Sequence, residues 1–100
     1  MQETYPCPDG REVQLRFHED ALRVDAITAD NVTIGRFQFA LIGPDSEVMD
    51  LMDDTGEAVS FKLAKAELSD DWHAQGITER VITLVAEEIS VSPVVALLKD

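Results

Sequence analysis

The feature that most constrains this chain is one change of period. Between Glu12 and Leu68 apolar residues alternate with polar ones; from Ile77 they recur at helical spacing. Alternation marks strands with one buried face, and the 3.6-residue repeat marks a helix with one buried stripe. Together they predict an α+β domain: an antiparallel meander of four to five strands, one main helix on a face of the sheet, and a short closing segment.

The strands are delimited by turn residues. "EVQLRF" sets Val13, Leu15 and Phe17 against Gln14 and Arg16, and "ALRVDAIT" sets Leu22, Val24 and Ala26 against Arg23 and Asp25. In "VTIGRFQFALI" the apolar side switches near Gly35, which predicts a bulge. "EVMDLM" reads as a short strand with Met49 and Met52 facing the core, "DDTG" as a tight turn, and "EAVSFKLAKAEL" as the next strand. In the helix Ile77, Val81, Leu84, Val85 and Ile89 share a face opposite Glu79, Arg80, Thr83 and Glu87. Pro93 is expected to end it, and "VVALL" then reads as a buried final strand, parallel to its neighbour through a right-handed crossover.

One hundred residues suit a single domain. No apolar run approaches the roughly 18 residues of a membrane span, and the polar start is not that of a secretory signal, so a cytoplasmic protein is expected. Twenty acidic residues against eight Lys and Arg give a formal net charge of -12. Such a chain disfavours duplex nucleic acid and anionic membranes and favours basic partners. Cys7 has no second thiol and is expected as an exposed group without a role. His18 and His73 lack further ligands for zinc, no serine lies in a nucleophile elbow, and "DDTGE" is too short for a calcium loop. Trp72 is expected to anchor its loop to the sheet.

The segment with chemical promise is "HAQGIT", residues 73 to 78, at the strand-to-helix junction. A helix N-terminus carries free N–H groups and the positive end of the helix dipole, and a glycine lets an anion approach the backbone. Main-chain donors from Gln75 to Thr78 could hold a phosphate. The plainer alternative is that Gly76 only permits the turn.

The strand "VSFKLAKAELS", the loop "DDWHAQGIT" and the helix "ERVITLVAEEI" resemble the central part of the GNAT superfamily, the acetyl-CoA-dependent N-acetyltransferases. In that family an Arg/Gln-x-x-Gly-x-Gly/Ala loop binds pyrophosphate. Here His73, Ala74, Gln75, Gly76, Ile77 and Thr78 take the six places, with His73 for the Arg or Gln and Thr78 for the last small residue. The likeness spans roughly residues 32 to 98. It implies a GNAT-like core, acetyl-CoA as cofactor, and transfer of the acetyl group to an unknown amine. Ala66 and Leu68 would line the pantetheine arm, Arg80 would join the loop in binding, and Glu67 would be the general base, for which burial must lift its pKa. Replacing Gly76 by Arg is expected to block binding and spare the fold. The other readings are a non-catalytic acidic protein docking on a basic partner, and a structural subunit pairing through sheet edges as a homodimer.

Overall fold

A computed structural model of the chain describes residues 2–18, 21–43, 48–49 and 60–98. Six strands precede the helix: β1 (Gln2–Pro6), β2 (Glu12–His18), β3 (Arg23–Thr28), β4 (Thr33–Ile42), β5 (Val48–Met49) and β6 (Ser60–Leu68). A 3-10 helix (Asp70–Gln75) leads through Gly76 into α1 (Ile77–Leu98). Every strand pairing is antiparallel, in the lateral order β1-β2-β3-β4, with β6 beside β4. Since β6 covers one edge of β4 from Gly35 to Ile42, the two residues of β5 pair with Leu41 and Ile42 on the other, beyond β3.

The alternation has the expected consequence. Val13, Leu15, Phe17, Val24, Ala26, Phe37, Phe39 and Leu41 point to one face, where they meet Ile77, Val81, Leu84 and Val85 of α1. Leu15, Val24, Phe37, Ile77, Val81 and Val85 are fully enclosed there, each worth about 1.5–3 kcal/mol of apolar burial. Phe61 and Leu63 of β6 pack on the rim, with the Phe61 ring edge-on to Phe39 at 5.7 Å between centroids.

The expected bulge is present. Ala26 faces Gly35 and Ile27 faces Thr33, which leaves Ile34 as the extra residue beside the glycine. A second register shift, with Lys65 facing Gln38 and Leu63 facing Phe39, makes Ala64 extra in β6. Gly35 lacks a side chain for a reason of space: a Cβ would lie 2.9 Å from Leu68 Cδ1.

Three expectations are corrected. The meander, expected to begin at "EVQLRF", begins earlier: Gln2–Pro6 is an edge strand on β2, and its exposed, half-polar residues carry too little alternation to announce it. Cys7 is buried at 6% exposure, and its N–H donates to the Arg11 carbonyl at 2.7 Å across the Cys7–Arg11 turn. Burial pushes its thiol pKa up. The segment from Pro93 to Leu98 is the end of α1, not a final parallel strand. A short apolar run suits either structure by periodicity alone, and alanine and leucine, as at positions 96 to 98, are strong helix formers that extend an already nucleated helix. The "DDTG" turn and Met52 lie outside the described residues.

Candidate functional site

The strand-to-helix junction is built by packing from both ends of the chain. Trp72 is 8% exposed and anchors the 3-10 helix to the core, with the Arg11 guanidinium 3.7 Å above its ring. Arg11 also donates to the Asp71 carbonyl at 3.2 Å and pairs with Asp9 at 2.6 Å. The hydrogen bond from Arg11 holds the Asp9 carboxyl below its ordinary pKa. From β1, the Tyr5 hydroxyl donates to the Gln75 carbonyl at 2.7 Å, and the Gln75 amide oxygen accepts from the Asp9 N–H at 3.3 Å. Gly76 turns the chain with φ 74°, a left-handed conformation open to glycine at little strain.

Beside the start of α1 lies a shallow groove of about 540 Å³, lined by Tyr5, His73, Ala74, Gly76, Glu79 and Arg80, with Thr83 at its end. Four of the residues expected to bind a cofactor (His73, Ala74, Gly76 and Arg80) therefore meet here. Gln75 is partly buried and engaged by Tyr5 and the Asp9 turn. The Ile77 side chain is in the core, so only its main chain is available, and Thr78 is half-buried. Ala66 is exposed on β6; Leu68 lines a second hollow of about 420 Å³ with Ile34, Gly35, Arg36, Glu67 and Ser69.

Glu67 is not brought to the groove. It stands opposite Arg36 on the sheet face turned away from α1, 61% exposed, with Lys65 Nζ at 3.0 Å. The enclosure that a general base needs is missing at that carboxylate.

The electrostatics of the groove are mixed. Arg80 is its one Lys or Arg among the described residues, and Glu3 of β1 accepts two hydrogen bonds from it, one at 2.6 Å from Nε. These bonds hold the Glu3 carboxyl below its ordinary pKa, against the smaller opposing effect of burial. Glu79 lines the wall, and His73 sits 3.6 Å from Asp70. A pyrophosphate would find main-chain donors and a positive helix end here, with a guanidinium already shared with Glu3.

No family model, curated protein or solved structure matches the chain. Geometry and the loop motif are therefore what bear on function.

A second arrangement is hidden in the linear sequence. The face of the sheet turned away from α1 carries two rows of side chains in register: Arg16, Asp25, Arg36 and Glu67, then His18, Arg23, Gln38 and Lys65. Asp25 is buried at 7% and gathers Arg36 Nε at 3.2 Å, Arg23 Nε at 3.3 Å and His18 Nε2 at 3.3 Å. The signal exists in the sequence as the polar half of each alternation, but row partners are set by strand register, which the sequence does not state.

Proposed function

We propose that the protein binds an acyl-CoA-type ligand along the outer edge of β6 and in the groove at the start of α1. The observation that carries this reading is the path of the chain: β6 is an edge strand whose partner among the described residues is β4 alone, and it runs through Ser69 and the 3-10 helix to a left-handed Gly76 on the groove. An edge strand offers alternate N–H and C=O groups to an extended arm bearing amides, as pantetheine does. The helix start behind Gly76 favours negative charge. Residues from Ala66 to Leu68 would take the arm, and those from His73 to Thr78, with Arg80, the pyrophosphate. The motif of residues 73 to 78 is the GNAT-like element in this reading. Acetyl transfer to an amine is its finer form. With Glu67 on the opposite face, that form leaves the general base unassigned, and the proposal is one of binding.

A second reading has its own observation. Arg80, Tyr5 and Gln75 are satisfied from within the molecule, which suits a junction that only holds β1 to α1 in a non-catalytic interaction protein. An amide-resolved NMR titration with acetyl-CoA, using CoA and ATP as controls, separates the two. Shifts centred on residues 66 to 80 support binding; silence at millimolar acetyl-CoA rejects it in favour of the second reading.

A further inference from the structure

We infer that the face of the sheet turned away from α1 docks an acidic segment of a partner protein. The charges of the described residues are unevenly spread over the two sides of the sheet. Among the described residues, five of the seven Lys and Arg residues (Arg16, Arg23, Arg36, Lys62 and Lys65) stand on this face, with three of the eleven carboxylates, Glu12, Asp25 and Glu67. Two cations and eight carboxylates of the described residues lie elsewhere. In a protein of net charge -12, the described residues of this face thus carry an excess of positive charge.

The second observation is a shortage of acceptors on that face. Asp25 is approached by three basic groups, and only the Arg36 contact has hydrogen-bond alignment. Arg23 Nε and His18 Nε2 are shielded from solvent and have no hydrogen-bond partner. Among the described residues no carboxylate pairs with Arg16 or Lys62. The row of His18, Arg23, Gln38 and Lys65 crosses β2 to β6, a span of about 14 Å at ~4.8 Å per strand, which suits a short peptide carrying several carboxylates.

A protein segment fits better than nucleic acid. The net charge of -12 would repel a long, uniformly charged polyphosphate. A peptide needs negative charge only where it touches.

The test is a ¹⁵N–¹H titration, followed on backbone amides and arginine Nε–H signals, with hexaglutamate as the probe. Hexaglutamine and a single-stranded DNA oligomer of matched charge form the other arms. Hexaglutamate should shift Arg16, Arg23, Arg36 and Lys65, and binding should weaken as salt rises. The double variant Lys62→Glu and Lys65→Glu, both at exposed positions, should weaken it roughly tenfold with the spectrum of the fold kept. No shifts on this face at millimolar hexaglutamate overturn the proposal. So do equal shifts with hexaglutamine, or tighter binding of the DNA. The groove at α1 lies on the other side of the sheet, so either result stands apart from the acetyl-CoA titration.

Discussion

The hydroxyl of Tyr5, on the first strand, donates to the carbonyl of Gln75, on the last turn before α1, across seventy residues of sequence at 2.7 Å. The same hydroxyl lies 3.0 Å from where a Cβ on Gly76 would stand. The N-terminal strand thus holds the junction from above, and the glycine serves this contact as well as its own backbone conformation.

Replacing Tyr5 by Phe removes that bond and leaves a part-buried carbonyl without its donor. The loss should be about 1 kcal/mol, or roughly 4–8 °C in Tm for a domain of this size. Hydrogen exchange should quicken first at residues 73 to 78. An unchanged Tm with unchanged exchange would mean that the bond contributes nothing to stability.

Gly76 does not tolerate substitution as the motif alone suggests. Its φ of 74° and the close Tyr5 hydroxyl strain any side chain there. Gly76→Ala should destabilise by about 1–3 kcal/mol, read by denaturant midpoint, and Gly76→Arg by more. Ala74→Glu, at an exposed position on the groove, is the better probe of ligand binding. It should weaken acetyl-CoA and leave the midpoint within about 0.5 kcal/mol.

The Glu3–Arg80 pair makes stability depend on pH. Arg80 holds the Glu3 carboxyl below its ordinary value of 4.5, so the stabilisation is fully present above that value and is lost as pH falls through the lowered one. Glu3→Gln should lower Tm at neutral pH by the equivalent of about 1 kcal/mol or less, since the pair is partly exposed. The gap between the two proteins should close on acidification. A gap that persists at low pH would assign the effect to packing. The same variant leaves Arg80 with only the weaker contact to Glu87 at 3.9 Å among the described residues, and on the acyl-CoA reading it should tighten binding.

Asp25 is the one buried charged residue among those described. Asp25→Asn leaves Arg23 and Arg36 facing each other over a neutral group, and should cost about 2–4 kcal/mol by chemical denaturation. A loss below about 0.5 kcal/mol would mean that solvent screens the cluster.

Pro93 lies inside α1, where a proline removes one helical hydrogen bond and crowds the carbonyl four residues earlier. Pro93→Ala should strengthen the far-UV helical signal and raise stability by about 1–3 kcal/mol. An unchanged signal and midpoint would mean that the proline costs the helix nothing.

Much of the fold is legible in the side-chain pattern. Strands β2, β3, β4 and β6 and the start of α1 at Ile77 follow from side-chain period, because a one-residue slip would turn every apolar residue to water. The glycine-marked bulge follows from the switch of apolar side at Gly35. Strand β1 is not legible, since an edge strand with both sides half-wet needs no alternation. The run after Pro93 is ambiguous because five apolar residues satisfy both periods. At the groove the loop motif marks His73, Ala74 and Gly76, but nothing in the linear order announces that Tyr5 closes over them.

By itself the sequence determined which residues of the alternating strands and the helix enter the core, though not Cys7, and where strand gives way to helix, since both depend on side-chain period and local backbone preference. The tertiary structure alone decided the charge relationships. Strand register set Arg16 and Arg36 on either side of Asp25, and the return of β1 to the helix start gave Arg80 to Glu3. It also put Glu67 on the face away from the groove that His73 and Gly76 line. Coulomb and hydrogen-bond energies depend on distance through space, and the chain acquires those distances only when distant segments pair.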